Sequence, residues 1–231
     1  MRLCALYSGG KDSTLALVEV MGEHEVACLV TMVPPSADSW LFHYPNARLA
    51  RLQAEAMGLP IILEECPSDE AGSLAALERA LREAQSRFRV EGVVTGAVRS
   101  AYQLSRFKRV CDRLGLECLS PLWGRDEVRL LEEVLERGIE AIFTRVAGYP
   151  LSRSLLGRRI DRSVVEWLAG LRGLVNPSGE GGEYETFALD APIFSRRIAV
   201  RSWRIEGGDY DATLIIEDAE LVEKGGRAPT S

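Results

Sequence analysis

Arg2-Leu3-Cys4-Ala5-Leu6-Tyr7-Ser8-Gly9-Gly10-Lys11-Asp12-Ser13 stands at the head of the chain, and how this stretch is read decides the fold. Arg2 to Tyr7 is a short apolar run that reads as a buried strand, cut off by Ser-Gly-Gly. Asp12 to Met21 then reads as a helix, with Leu15, Leu17, Val18 and Met21 on or near its apolar face and Gly22 as its stop. A strand that turns over glycines straight into a helix aims backbone N–H groups and the positive helix end at one point. Such a point suits an anion. Gly9 and Gly10 allow close approach, the hydroxyls of Ser8 and Ser13 add donors, and Lys11 adds positive charge. Asp12 would repel a phosphate directly, so its expected task is to hold a magnesium ion that phosphates share. The familiar alternatives fail on single letters. A Walker loop would need glycine where Ala5 stands and serine or threonine where Asp12 stands, and a dinucleotide fingerprint meets Lys11 and Thr14 where it needs glycine.

Working outward, short apolar runs alternate with helical stretches. Val26 to Val33, Ile61 to Leu63, Val93 to Gly96, Glu117 to Leu119 and Ala141 to Val146 read as strands. Ala47–Met57, Ser68–Phe88, Tyr102–Leu114 and Asp126–Glu136 read as helices between them. This alternation predicts an α/β fold with a parallel sheet covered on both faces. Ligands bind such sheets at the carboxyl ends of the strands, which makes Ser8 to Ser13, Thr31 to Pro34 and Gly96 to Ser100 the candidate segments. Tyr102 and Gln103, at the following helix start, are candidates to contact a bound ligand or substrate. The loop from Pro34 to Asn46 carries Trp40, Phe42, His43 and Tyr44, a heavy aromatic load that suits a lid with His43 facing the ligand edge of the sheet.

After Gly148-Tyr149-Pro150 the pattern changes. A helical segment, Ile160 to Leu171, leads to Gly179-Glu180-Gly181-Gly182-Glu183-Tyr184-Glu185-Thr186, then to strand-like runs at Ile198 to Ile205 and Ala212 to Ile216. The expected division is a nucleotide domain over 1–147, a smaller C-terminal α+β domain over 148–224, and a flexible tail over 225–231. Trp123 and Trp167 read as core anchors.

The 231 residues carry 28 Lys+Arg against 34 Asp+Glu, a formal charge of −6, which disfavours a nucleic-acid partner. Arginines do cluster around Arg99, Arg106 and Arg109, and again at Arg153, Arg158 and Arg159. Five scattered cysteines without a Cys-x-x-Cys pair argue for buried free thiols rather than a disulfide framework or zinc site. No apolar stretch is long enough for a bilayer and the N-terminus is no signal peptide, so a cytoplasmic location with no membrane contact is expected. A homo-oligomer is compatible with this composition.

Ser8-Gly9-Gly10-Lys11-Asp12-Ser13 resembles the PP-loop of the N-type ATP pyrophosphatases, a class that cleaves ATP between the α- and β-phosphates on a HUP-like, adenine nucleotide α-hydrolase-like domain. Further strings narrow the resemblance. Cys28-Leu29-Val30-Thr31, Trp40 to Asn46, Leu52 to Gly58, Gly96 to Gln103, Pro121-Leu122-Trp123, Leu156-Gly157-Arg158, Gly179 to Thr186 and Asp190-Ala191-Pro192 resemble the diphthine–ammonia ligase family, in order from Leu6 to Phe194. The resemblance implies an enzyme that uses ATP and magnesium to adenylate the carboxylate of diphthine, a modified histidine of elongation factor 2, and amidates it with ammonium. It also implies a short, archaeal-type form, since the eukaryotic forms are expected to carry further C-terminal domains. Another PP-loop substrate, a tRNA base or a small carboxylate, and a non-catalytic adenine-nucleotide-binding protein are the alternatives. The first lacks the reactive cysteine that thiolation needs, and the second has no use for the acidic loop.

That loop fits the implied chemistry. Diphthine carries a quaternary ammonium, and the nitrogen donor arrives as ammonium. Glu180, Glu183 and Glu185 could hold either cation, Tyr184 with Trp40 or Phe42 could offer a π face, and Glu183 or Glu185 could take the ammonium proton. Gly181, Gly182 and Thr186 complete the expected substrate-binding set, with the glycines permitting close backbone approach.

Overall fold

The computed structural model describes residues 1–35 and 46–225. Five strands, β1 (Arg2–Leu6), β2 (Glu25–Val33), β3 (Ile61–Glu65), β4 (Gly92–Thr95) and β5 (Glu117–Leu119), form one parallel sheet in the order β3-β2-β1-β4-β5. Helices α1 (Lys11–Val20), α2 (Ala50–Met57), α3 (Glu70–Phe88) and α4 (Ala101–Leu114) connect them. The strands are mostly apolar because both faces are covered: Leu3, Leu29 and Val94 pack with Leu15 and Leu17, while Cys4, Val30 and Val93 pack with Leu77, Leu81 and Val110. Strand order reverses between β1 and β4. The turns that leave these two strands therefore diverge to opposite faces and open a crevice at their carboxyl ends.

Four further strands make a second, antiparallel sheet in the order β7-β6-β9-β8, from β6 (Glu140–Ala147), β7 (Tyr184–Asp190), β8 (Arg197–Gly207) and β9 (Asp211–Val222). The strand expected at Ala141 to Val146 exists, but it pairs with β7 and β9 here and not with the parallel sheet. Its partners lie far downstream (Phe143 opposite Thr186, Arg145 opposite Thr213), so its own apolar run could not announce them. Helices α5 (Glu127–Glu136) and α6 (Arg162–Gly170) cover it through Leu131, Val164, Val165 and Leu168. One apolar cluster runs unbroken from Leu3 and Leu15 to Phe187, Phe194, Ile198 and Leu214, so the two sheets share a core.

Trp123 and Trp167 are not core anchors. They are 42% and 40% exposed, Trp123 in the turn after β5 and Trp167 beside the Val164–Leu168 stripe that α6 buries. Cys4, Cys28, Cys66 and Cys111 are buried free thiols, and Cys118 is partly buried. No helix among the described residues is long and apolar enough to cross a membrane.

Candidate active site

The turn between β1 and α1 is held from two sides. Gly9 adopts φ +83°, a left-handed conformation that favours glycine, and a Cβ there would stand 2.6 Å from Gln53 Oε1. Gln53, wholly buried on α2, donates from Nε2 to the carbonyls of Gly9 (2.9 Å) and Ala188 (2.8 Å). The Ala188 N–H in turn donates to the Gly9 carbonyl at 2.8 Å, stitching β7 to the loop. Gly10 begins α1 without a capping side chain. Instead, the Lys11 N–H donates to Thr186 Oγ1 at 3.1 Å, from the second sheet. Across the crevice, Gly96 lies so close that a Cβ would meet Ser13 N at 2.8 Å and Asp12 C at 2.9 Å.

The crevice holds two connected chambers. One, of about 120 Å³, has apolar walls from Leu6, Tyr7, Val30, Met32 and Phe107, with Ser8, Asp12, Ser13, Gly96 and Gln103 also lining it. The other, of about 360 Å³, is polar and is lined by Ser8, Gly10, Asp12, Asn46, Tyr102, Gln103, Thr144, Arg145 and much of the Gly179–Thr186 loop. Ser8, Asp12, Gln103 and Glu180 line both. An apolar chamber that opens on glycines and hydroxyls suits a nucleoside with its phosphates over the β1–α1 turn.

Several expected site residues serve differently from the way they read in the sequence. Lys11 is 2% exposed, and its ammonium donates to Asp12 Oδ2 (2.8 Å) and to the Ser178 carbonyl, 5.1 Å from the centroid of the Tyr184 ring. Its long stem thus reaches the acidic loop and ties the two loops together; it does not line either chamber. Tyr184 is buried, its ring tilted 59° against that of Phe143 with centroids 4.9 Å apart, and donates its hydroxyl to the Pro177 carbonyl at 2.7 Å. Burial first, then the nearby charges of Asp12 and Glu183, hold its phenol well above the ordinary tyrosine range. Thr31 is buried and spends its hydroxyl on the Tyr7 carbonyl at 2.6 Å, so it supports the end of β1 without lining a chamber.

The three glutamates separate into three tasks. Glu180 Oε1 accepts the backbone N–H groups of Val98 (3.1 Å), Arg99 (3.0 Å) and Ser100 (3.0 Å) at the start of α4. Three backbone donors thus meet the negative charge of this carboxylate at a helix start. Glu183 Oε1 accepts the Asn176 N–H at 2.9 Å, and its carboxylate lies under Gly181, where a Cβ would come within 2.7 Å of it. Its second oxygen is buried without a hydrogen-bond partner, and the side chain does not line either chamber. Glu185 lines the polar chamber. Tyr102 reaches that chamber too, donates its hydroxyl to Glu70 Oε2 at 2.6 Å and carries the Arg106 guanidinium 3.3 Å above its ring. His43, with Trp40 and Phe42, lies outside the described residues.

Four contributors escaped the sequence reading: Gln53, Asn46, Ser178 and Arg145. Asn46 mimics a strand neighbour, donating to the Leu214 carbonyl (2.9 Å) and accepting the Ile216 N–H (3.1 Å), which fixes the end of the aromatic segment against β9. A glutamine among the apolar residues of α2 was a signal available for Gln53, since a buried amide needs backbone partners. Nothing local marks the other three.

Residues 1–118 match the diphthamide synthase N-terminal domain, and residues 126–222 match the diphthamide synthase C-terminal domain. The chain is 34% identical to the diphthine–ammonia ligase of Mus musculus (87% of this chain, 84% of the relative) and 34% identical to that of Homo sapiens (92% and 87%). The Schizosaccharomyces pombe enzyme of the same name is also 34% identical, over 87% of this chain but 36% of its own length. The expectation that eukaryotic forms are longer therefore holds for the fission yeast relative and fails for the mammalian ones, so shortness does not mark an archaeal type. A solved structure titled as a predicted tRNA methyltransferase subunit from Methanocaldococcus jannaschii resembles the chain at 14% identity and a TM-score of 0.41, covering 83% of this chain and 98% of that one.

Proposed function

Because the chain belongs to the diphthamide synthase family, whose curated members named above are diphthine–ammonia ligases, we propose that it is an ATP-dependent ammonia ligase acting on the diphthine carboxylate of elongation factor 2. In this reading the carboxylate oxygen attacks the α-phosphorus of ATP and pyrophosphate leaves. Ammonia then attacks the acyl carbon and AMP leaves, so that an amide replaces the carboxylate. The observation that carries the reading is the junction of the β1–α1 turn with the acidic loop around one two-chambered crevice.

The residues present fit ATP and magnesium. Gly9 and Gly96 leave out side chains where any Cβ would collide, keeping the turn compact enough for its N–H groups to meet phosphate oxygens. The apolar chamber takes the adenosine, and Ser8, Gly10 and Ser13 face the phosphates. Asp12 would hold magnesium together with the phosphates. No group of three or more metal-ligating side chains lies together among the described residues, and magnesium bound with nucleotide needs only one or two carboxylates. Bound there, the ion supplies charge neutralisation for the leaving pyrophosphate.

Glu185 takes the ammonium proton, since only NH₃ is a nucleophile. Glu180 and Glu183 position the loop. The first sheet and its helices form the nucleotide-binding half, the second the substrate-binding half, and the enzyme works in the cytoplasm where elongation factor 2 and ATP meet. The test is incubation with α-labelled ATP, magnesium, ammonium and elongation factor 2 bearing diphthine. AMP and pyrophosphate should appear together with the mass change of amidation on the histidine peptide. ADP, or AMP release without amidation, would overturn the reading.

A further inference from the structure

The charges around the crevice are unbalanced. Asp12, Glu180 and Glu185 line the two chambers, and among the described lining residues Arg145 is the single cation, since the Lys11 ammonium is turned into the protein. Yet the proposed reaction brings a second anion, the carboxylate to be activated, up to a nucleotide that is itself anionic. Desolvating that carboxylate without an opposite charge would be costly.

We propose that Arg145 is the residue that binds and orients the substrate carboxylate, with Glu185 beside it receiving the cationic nitrogen donor; the assignment rests on the ligase reading above. Arg145 sits on β6, an interior strand of its sheet, directly opposite Glu185 of β7 on one side and Thr213 of β9 on the other. Residues opposite one another in an antiparallel pair share a face and stand within side-chain reach. The sheet thus presents a positive and a negative group side by side toward the polar chamber, complementary to a carboxylate and an ammonium that must meet.

The present contacts of Arg145 leave room for such a ligand. Its Nη1 donates to Thr213 Oγ1 at 3.3 Å and its Nη2 to Asp211 Oδ1 at 3.2 Å, both longer than a typical charge-assisted bond. Asp211 is 76% exposed while the Arg145 side chain is 22% exposed, so the existing ion pair is a rim contact that water readily shares. A guanidinium has five donors in a planar fork, and the fork matches a carboxylate edge-on. Lying on a strand hydrogen-bonded on both sides, it needs little reorganisation to hold that carboxylate.

The experiment varies diphthine-bearing elongation factor 2 at saturating ATP and ammonium for wild type, Arg145→Met and Arg145→Lys, with ATP affinity measured separately by calorimetry. The Met variant should raise KM for the protein substrate by about tenfold or more while ATP affinity stays within about twofold, and the Lys variant should recover part of the loss. Retained ATP binding certifies a folded site, which a general structural defect would not preserve. An unchanged KM in the Met variant, with the wild type turning over, overturns the assignment alone. Absence of turnover in the wild type overturns the ligase reading, and this assignment with it, because the carboxylate comes from that reading.

Discussion

Glu180 Oε1 lies 3.0 Å from the backbone nitrogen of Ser100, the residue that caps α4, and the same oxygen also accepts from Val98 and Arg99. One side chain of the second half thereby satisfies three donors that the first half leaves unpaired at a helix start. Removing it with Glu180→Ala should lower stability by about 2 kcal/mol, or about 4–8 °C in Tm for a chain of this size. Glu180→Gln keeps an acceptor in place and should lose less. A Tm in the Ala variant equal to wild type would mean that water replaces the carboxylate at no cost.

Gly96 and Gly22 offer a matched comparison. A methyl group at Gly96 meets the backbone of Asp12 and Ser13, whereas one at Gly22 meets nothing within 4 Å. Gly96→Ala must displace the β1–α1 turn and should weaken ATP binding by about tenfold or more, while Gly22→Ala should stay within about 0.5 kcal/mol of wild type. Titration calorimetry with both variants checks this, and equal ATP affinities would contradict it.

The acidic loop predicts a split between two neighbouring glutamates. Glu185→Gln should slow amide formation by about a hundredfold, the low end for loss of a general base. Glu183→Gln keeps an oxygen for the Asn176 N–H and lies outside the chambers, so its turnover should stay near wild type. Amidation rates at fixed ammonium decide between this order and the reverse.

Acid should weaken the junction of α3 with α4. The Glu70 carboxyl is held below its ordinary value of 4.5, first by the hydrogen bond from Arg106 and then by that from Tyr102. A lowered folded pKa contributes stability that is complete above the unfolded value and is lost as the pH falls through the folded one. The Tm gap between wild type and Glu70→Gln should therefore be widest near neutrality and narrow below about pH 4.5. A gap independent of pH would show that Glu70 acts through packing alone.

What could be read from the sequence was what neighbours in the chain decide. The β1–α1 turn is a local event, a strand stopped by Ser8-Gly9-Gly10 and a helix begun at Lys11, and the alternation that follows it marked all five parallel strands. The sixth strand was visible as a run but not as a partner, because β7 and β9 claim it from far away. The same distance hid the inward turn of Lys11 toward Ser178 and the seating of Glu180 on the β4–α4 turn. Trp123 and Trp167 misled because size alone argued for burial, while the stripe that packs α6 passes through Val164, Val165 and Leu168 instead.

The bond between the Ala188 N–H and the Gly9 carbonyl has a consequence for synthesis of the protein. All five strands of the parallel sheet have been made once β5 leaves the ribosome, while the part of their core that comes from Phe187, Phe194, Ile198 and Leu214 has not. The β1–α1 turn, proposed above to receive the phosphates, is likewise unfinished until Thr186 and Ala188 arrive to bind Lys11 and Gly9. Contacts between residues far apart in the chain carry a loop-closure cost and slow folding. On the proposed function, a product that stops before β7 therefore has an unfinished phosphate turn, and ATP binding would require that translation has run through β7.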